Sequence, residues 1–527
     1  MKEIHFIQNI LASEKIDIVD LSRPFPDEAR ITVAGADFAK TCKLLHSCLS
    51  SPVMAFFAED LRRRSGAFTL YCVFLSIQAQ SWVFVRRDVA ADTPEFASLA
   101  KDIHSASLFE REMREMFGVE PVGNPDPRSL RLHSEVWPAG RYPLRKDFTM
   151  PHKNMDEGVR YRFKRVEGEG IFEIPVGPVH AGIIGPGHFR FSAAGEPIIN
   201  LELRLGWTHR GIEKLLEGKS SLDAVKISEC ISGDTAFGYS MAFCQTVEKA
   251  QGADIPLRSQ LIRVLCLELE RLYNHINDMG GIALDVGFSF PAQFASLIKE
   301  AILRLNDAVC GSRYLKGVNT IGGTLIDIDM AKSALIHTAL IKIKKDFRAL
   351  EEMLFSSVSF MDRADATGIL RAKTARDLGI TGLAARASGI GLDMRKVFPG
   401  IYHSFSFKMA KEQAGDVTAR LKVRCSEVIE SLEIIKQCLE KLGTCSPQIK
   451  ITIAKKSGTA LGCVEAWRGP VLVWMRLDAA GYIERCKIVD PSFHNWEGLS
   501  YAVLGNIIPD FPLCNKSFDL SYPGNDL

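Results

Sequence analysis

A proline-rich stretch constrains the fold of this chain more than any other feature. Residues 121–151 hold six of the 23 prolines, together with glycines and charged residues. Proline has no backbone N–H and restricts the residue before it, so the stretch favours an extended connector. We therefore predict a small domain at residues 1–120, a linker or docking arm at residues 121–165, and a large domain at residues 166–527.

The first of these regions has the pattern of a small α/β domain. Residues 68–76 and 81–86 are strand-like apolar runs, and helical patterns lie around them. Phe109, Met113, Met116 and Phe117 form an apolar stripe at helical spacing, which predicts an amphipathic helix with charged residues on its other face.

The large region predicts a mainly helical domain with a small β portion. Apolar residues recur at helical spacing along four segments, residues 262–276, 294–308, 330–356 and 407–442. Glycine pairs at residues 280–281 and 322–323 predict turns between helices. The runs at residues 171–176 and 196–205 are short, apolar or alternating, and bounded by glycine and proline, which predicts a β-hairpin. The fold class is therefore α+β.

Composition excludes several classes of function. The 527 residues carry 65 basic and 63 acidic side chains, a net charge of +2, which gives no support to nucleic-acid binding. No apolar run approaches the ~18 residues of a membrane-spanning helix, and the N-terminus lacks the apolar core of a secretory signal. We expect a cytoplasmic chain that reaches a membrane only through partners.

The thirteen cysteines do not form the close pairs typical of metal sites. No two of them are separated by two residues, a spacing that zinc and iron–sulfur sites commonly use. We interpret scattered cysteines such as Cys72 and Cys266 as small buried side chains in a reducing compartment.

Three blocks around the proline-rich stretch resemble a known subunit. Residues 110–119 (EREMREMFGV), 124–127 (NPDP) and 142–148 (YPLRKDF) are similar to the signature of the small peripheral-arm subunit of respiratory complex I. The alternative is an unrelated amphipathic helix followed by a proline-rich loop. The resemblance implies a structural role, in which the charged residues of these blocks form a docking surface.

Blocks further along the chain resemble a second family. Residues 177–180 (GPVH), 186–190 (PGHFR) and 209–214 (HRGIEK) look like the opening blocks of the large subunits of energy-converting hydrogenases and complex I. Fusion of the two modules is typical of the formate hydrogenlyase large subunit and its relatives. The resemblance implies an iron–sulfur small subunit, antiporter-like membrane subunits and other hydrogenase- or complex I-like subunits as partners, on the inner face of the cytoplasmic membrane.

Residues 229–240 (ECISGDTAFGYS) resemble a nickel–iron hydrogenase metal motif that has lost its ligands. Ser232 and Thr235 stand where that family places two thiolates, and Tyr239 stands where it places a histidine. The C-terminal block, residues 516–527, places Ser521 and Gly524 where the family has the other two thiolates. Hydroxyl groups are poor ligands for nickel and iron and glycine offers none, so we expect no metal in this chain.

Asp285, in an Ala-Leu-Asp-Val-Gly setting, matches the aspartate beside the quinone headgroup in the complex I quinone-site subunit. A carboxylate between apolar neighbours has a raised pKa unless it is paired, which suits proton exchange. Capping a helix or bonding a turn is the alternative role. The partner histidine of that family is missing because the loop at residues 181–188 is reorganised, and Ala224 stands nearest to the family tyrosine.

Five further residues are candidates for lining a cavity or quinone site: His180, His188, Asp234, His275 and Arg468. Lone histidines more often have structural hydrogen bonds. Arg468 matches an arginine that lies over the metal's ligands in hydrogenases, and here it can bind an anion or form a buried ion pair with an acid such as Asp393.

Two hypotheses follow for the function. In the first, the chain is an electron-transfer subunit whose cavity binds a quinone or another small redox partner beside an iron–sulfur subunit, with Asp285 exchanging protons. In the second, it is a non-catalytic scaffold that couples its partners. No cofactor except a possible quinone is expected on this chain. NAD enters only through the reaction of a whole complex, because no Gly-x-Gly-x-x-Gly follows a strand.

Overall fold

The computed structural model describes residues 2–149, 158–180 and 184–527. An N-terminal part built on a sheet is followed by a larger, mainly helical part, as the α+β class requires. Residues 150–157, which include Pro151 and the middle of the predicted linker, lie outside the described residues, as do residues 181–183.

A five-stranded sheet organises the N-terminal part. The strand order is β1-β2-β5-β4-β3, with β2 and β5 parallel and the other neighbours antiparallel. The strands predicted at residues 68–76 and 81–86 are confirmed as β4 and β5. The elements are α1 Lys2–Ser13, β1 Ile18–Phe25, β2 Glu28–Val33, α2 Phe38–Leu49, β3 Ala55–Leu61, α3 Arg62–Ser65, β4 Ala67–Ser76, β5 Ser81–Ala90, β6 Glu95–Ala97, α4 Ser107–Phe117 and β7 Glu120–Val122.

The larger part contains the long helices. Helices α8, α9 and α10 confirm three of the four predicted helical segments, whereas the fourth begins only at Val417. The elements are β8 Ile171–Val176, β9 His188–Ala194, β10 Ile198–Arg204, α5 Ile212–Leu216, α6 Ser221–Ser228, α7 Ala236–Gln251, α8 Leu257–Asp285, α9 Ser289–Cys310, β11 Asn319–Thr320, β12 Gly323–Thr324, α10 Met330–Ser356, α11 Val358–Ala364, α12 Ala372–Leu378, α13 Gly382–Ala387, α14 Met394–Val397, α15 Val417–Leu442, β13 Gly458–Glu465, β14 Pro470–Leu477, β15 Ile483–Val489, α16 Pro491–Ala502, α17 Phe511–Phe518 and α18 Tyr522–Asp526.

Three predicted connections differ from those in the structure. The runs at residues 171–176 and 196–205 are strands β8 and β10, but β9 lies between them and pairs with both. Residues 280–281 do not form a turn, because both glycines lie inside α8. A Cβ on Gly280 would lie 2.8 Å from the Cβ of Ala295, so glycine here lets α9 approach α8 closely. At residues 322–323, Gly322 does lie in a turn, but Gly323 begins β12, so the turn joins two short strands and not two helices as predicted.

Helix α8 is the centre of the larger part and is buried along most of its length. It packs against α7, α9, α15 and α17. Within the described residues, no helix has both the length and the apolar composition that crossing a membrane requires. Cys72 and Cys266 are buried as predicted, whereas Cys48 and Cys230 are exposed.

The N-terminal part packs on the three-stranded sheet β13-β14-β15. Aromatic contacts join the two sheets, with the ring of Trp474 4.9 Å from that of Phe57 and 5.2 Å from that of Tyr71. Arg476 on β14 donates to the carboxylate of Glu59 on β3. These contacts fix the sheet β13-β14-β15, and with it the loop that carries Arg468, against the N-terminal part.

The apolar stripe predicted at residues 109–117 is confirmed as the buried face of α4. The charged residues of this helix do not all face solvent, however, because Glu110, Arg111 and Glu112 are buried. Glu112 accepts from Arg131 at 2.6 Å and from Lys487 on β15 at 2.6 and 2.7 Å. Glu112 of α4 therefore contacts the large part of the same chain.

Replacing Glu112 with glutamine leaves Arg131 buried beside a neutral group, whereas Lys487 keeps Glu213 at 3.2 Å as a carboxylate partner. Breaking one partner of a buried ion pair costs about 3 kcal/mol or more. We expect Glu112→Gln to lower the free energy of unfolding by that amount in urea titrations. Glu120→Gln, at an exposed position just after α4, is the matched control and should change little. Equal stability of the two variants would contradict a buried ion pair at Glu112.

Candidate functional site

The segments at residues 229–240 and 516–527, which resemble the hydrogenase metal motif, meet in the folded chain. Ser232 ends the loop that leads towards α7, and Ser521 caps α18, where its hydroxyl accepts from the N–H of Gly524 at 2.9 Å. The hydroxyl oxygens of Ser232 and Ser521 lie 3.0 Å apart, although 289 positions separate the residues. The folded chain therefore brings together the two motifs that the sequence pattern paired.

Asp234 and Arg468 form the charged centre of this cluster. Two guanidinium nitrogens of Arg468 donate to the two carboxylate oxygens of Asp234 at 3.0 and 2.7 Å. The hydroxyls of Ser232 and Thr235 donate to Asp234 Oδ1 at 2.6 and 2.9 Å. Burial raises the pKa of Asp234, but Arg468 and the Ser232 hydroxyl outweigh burial, so the pKa is lowered overall. Arg468 therefore pairs with Asp234, whereas Asp393 pairs with Arg395 at 2.7 Å.

Protein atoms fill the space beside Gly524. The buried hydroxyl of Tyr239 donates to the buried carboxylate of Asp490. A Cβ on Gly524 would lie 2.6 Å from both Asp490 Oδ2 and the Tyr239 hydroxyl oxygen. The indole N–H of Trp467 donates to the Thr235 hydroxyl at 3.0 Å. A nickel–iron centre therefore does not fit these residues as they stand.

In the described part of the chain, no group of three or more histidine, cysteine, aspartate and glutamate side chains is arranged around one point as metal ligands would be. Cavities of about 730 and 750 Å³ do occur, but they lie elsewhere. The first is a cleft between the N-terminal sheet and the large part, with Trp82, Lys249 and Phe398 among its walls.

A row of charged side chains continues from Arg468 along α17. Arg468 lies 3.5 Å from Asp519, whose other oxygen accepts from Lys516 at 2.7 Å. Asp278 on α8 accepts from Arg424 at 3.0 Å and lies 4.0 Å from Lys516. Burial and the charge of Asp519 raise the pKa of Asp278. Burial acts in the same direction on Asp519, but Lys516 and Arg468 outweigh it and lower that pKa. Of these two carboxyls, Asp278 therefore has the higher pKa.

Asp285 lies outside the cluster. It is the last residue of α8 and is exposed. Partial burial raises the pKa of its carboxyl, Lys516 opposes the shift and Asp519 adds to it, so the pKa is raised. The direction agrees with the expectation from its apolar neighbours.

The candidate histidines have separate settings. His180 and His188 hold the connection between β8 and β9, through contacts of 2.7 Å to Gly187 O and 3.4 Å to Gly177 O. This connection lies against α18, since a Cβ on Gly187 would be 2.8 Å from the ring of Tyr522. Residues 181–183 of the reorganised loop lie outside the described residues.

His275 is buried in α8, a different position from that of His180 and His188. Its Nε2 lies 2.8 Å from a Glu427 oxygen, and its ring centroid lies 6.1 Å from that of Trp467. Burial lowers the pKa of His275 to about 4 despite Glu427, so the ring is neutral at pH 7. His275 is therefore a hydrogen-bonding partner of Glu427 in the wall behind Trp467.

Sequence reasoning missed several residues of the cluster, above all Glu270. Its carboxyl accepts from the backbone N–H groups of Phe237 and Gly238 at the start of α7, at 2.8 and 3.0 Å. Burial raises the pKa of Glu270 to about 8. A signal was present, because Glu270 and Asp278 are acidic residues in a segment whose apolar residues recur at helical spacing. Tyr239 was noted only as the replacement of a histidine, and Asp490 was not noted.

Both parts of the chain match known protein families in sequence. Residues 31–154 match the family model described as respiratory-chain NADH dehydrogenase, 30 Kd subunit, and residues 285–456 match that of the 49 Kd subunit. Formate hydrogenlyase subunit 5 of Escherichia coli (strain K12) is 31% identical over 520 residues, which cover 97% of this chain and 90% of that protein. Hydrogenase-4 component G of the same organism is 30% identical over 97% of this chain and 90% of its own length.

Another relative carries two subunit letters, C and D, in its name. The C/D subunit of NADH-quinone oxidoreductase from Bacteroides thetaiotaomicron is 29% identical over 73% of this chain and 76% of its own length. The chain thus belongs to the family of fused complex I 30 Kd- and 49 Kd-type subunits that contains formate hydrogenlyase subunit 5 and hydrogenase-4 component G.

Proposed function

We propose that the chain is a subunit of a membrane-associated oxidoreductase complex of the complex I or hydrogenase type, and that it holds no nickel–iron centre. The observation that carries the proposal is the direct 3.0 Å contact between Ser232 and Ser521, at two positions where a hydrogenase needs thiolates. The pair Tyr239–Asp490 beside Gly524 supports it further, since these side chains occupy the room of a fourth ligand.

In this proposal, the residues at the centre bind and release protons and do not hold a metal. Burial raises the pKa values of Asp278 and Glu270, so both carboxyls bind protons near neutral pH. Lys516 lies 4.0 Å from Asp278, and its charge acts on the pKa of both Asp278 and the exposed Asp285. Asp285 is therefore the proposed point of proton exchange with solvent or with a bound molecule.

The molecule that meets Asp285 is proposed to be a quinone or another small redox partner, beside the iron–sulfur cluster of a partner subunit. The name of the NADH-quinone oxidoreductase relative supports this choice. An iron–sulfur small subunit and antiporter-like membrane subunits are the proposed partners, at the inner face of the cytoplasmic membrane. NAD would act only through another subunit.

A second candidate is a scaffold that couples its partners without binding a substrate. The dense hydrogen bonding of the cluster favours it, since Ser232, Thr235 and Arg468 all bind Asp234 directly. Activity measurements at Asp285 distinguish the two candidates.

The first test concerns nickel. We expect the purified complex to contain no stoichiometric nickel by elemental analysis. A variant with cysteine at positions 232, 235, 521 and 524 should also bind none, because the Gly524→Cys side chain would meet Tyr239 and Asp490. Gly524→Cys alone should destabilise the chain by about 2 kcal/mol through overpacking.

Gly233→Cys is the control for this series, because a Cβ at that exposed glycine meets nothing within 4 Å. It should unfold at the same urea concentration as the wild type. One nickel per chain in the wild-type complex would refute the absence of the centre.

The second test concerns Asp285. If its carboxyl exchanges a proton with a bound quinone, Asp285→Asn should lower quinone-reductase activity of the complex by about 100-fold, the usual contribution of general acid–base catalysis. Asp307→Asn, at an exposed position on α9, serves as the control. Full activity of Asp285→Asn would remove Asp285 from the mechanism and favour the scaffold.

The third test concerns the proton on Glu270. The folded pKa of about 8 exceeds the usual 4.5, so folding favours the protonated acid. This contribution is complete below pH ~4.5 and is lost as the pH rises towards 8, by about 1.4 kcal/mol per pH unit. Glu270→Gln cannot titrate, so the stability of the wild type relative to the variant should fall with that slope in urea titrations. Parallel pH profiles would show that Glu270 is ionised in the folded chain.

A further inference from the structure

Residues 158–166 (GVRYRFKRV), here named the basic arm, form an extended segment over one face of the sheet β8–β10. Its two aromatic side chains point towards that sheet. The hydroxyl of Tyr161 donates to Glu202 on β10 at 3.0 Å, and the ring of Phe163 lies 4.9 Å from that of His188 on β9. The backbone N–H of Lys164 donates to Glu202 at 2.7 Å. The arm is thus held in one orientation.

The cations underneath the arm are neutralised within the chain. Arg204 pairs with Glu135 at 2.5 Å and lies over the ring of Tyr161 at 4.2 Å. Arg190 pairs with Glu173 at 2.9 Å and lies over the ring of Phe163 at 4.1 Å. These arginines stabilise the arm and leave no net positive charge on the buried side.

The side of the basic arm that faces solvent carries positive charge. Arg160, Arg162, Lys164 and Arg165 are exposed, and none of them forms an ion pair with another of the described residues. The whole chain has a net charge of only +2, so four cations among six consecutive residues are a local concentration of charge. Val159, beside them, is 76% exposed.

We propose that the basic arm binds directly to an anionic lipid surface. Four cations on an extended backbone present a flat stripe, which fits a smooth negative surface without a shaped pocket, and the exposed Val159 adds an apolar contact. Each basic residue near an anionic leaflet strengthens binding by about fivefold. The proposal is independent of the proposed function, since lipid binding needs neither a quinone nor a metal.

Sedimentation of the full-length chain with vesicles tests the proposal. We expect binding to phosphatidylcholine vesicles that contain phosphatidylglycerol, weaker binding to phosphatidylcholine alone, and loss of binding at high salt. The variant R160Q/R162Q/K164Q/R165Q should bind the anionic vesicles about 600-fold more weakly, since four contributions of that size are lost.

The control variant K342Q/K344Q/K345Q/K422Q removes the same charge from exposed positions on α10 and α15. It should bind like the wild type. Absence of wild-type binding, or an equal loss in both variants, would overturn the proposal, because binding would then be absent or a matter of net charge alone. Normal lipid binding of the arm variant with loss of an acidic subunit from the purified complex would overturn it too, in favour of a protein as the occupant.

Discussion

The burial of charge on α8 is the constraint on which the rest of the larger part depends. This helix of 29 residues is surrounded by other elements, yet it carries charged side chains along its buried length. A buried charge without a partner is costly, so neighbouring elements must supply counter-ions. Arg263 pairs with Glu248 of α7, and Glu268 and Arg271 pair with each other and with residues of other elements. The positions of α7, α14 and α15 are thereby tied to α8.

In the cluster around Asp234, a buried charge again has a counter-ion, since the buried Arg468 pairs with Asp234. In a hydrogenase, metal-bound thiolates would hold the loop before α7 and the C-terminal segment together. Here Ser232 and Ser521 join these segments by hydrogen bonding, and Arg468 neutralises Asp234 from the loop after β13. In this chain, hydroxyl groups, a carboxylate and a guanidinium therefore hold these three segments together.

The sequence predicted elements well where local pattern decides them and poorly where distant contacts do. Strands β4 and β5 of the N-terminal sheet and helices α8 to α10 follow from apolar periodicity alone. Gly280 suggested a turn, yet it lies inside a helix because α9 packs there through Ala295. Whether Arg468 meets Asp234 or Asp393 depends on the packing of segments more than 70 residues apart, which no local pattern encodes.

For Asp285, too, the sequence indicated a property of the side chain but not its place in the fold. Its apolar neighbours correctly indicated a raised pKa, but they did not indicate that α8 ends at this residue and leaves it exposed. Lys516 and Asp519 belong to the C-terminal segment, which also supplies Ser521, and their charges act on the pKa of Asp285. The same two charges act on the pKa of the buried carboxyl of Asp278, so this segment influences both of these carboxyls of α8.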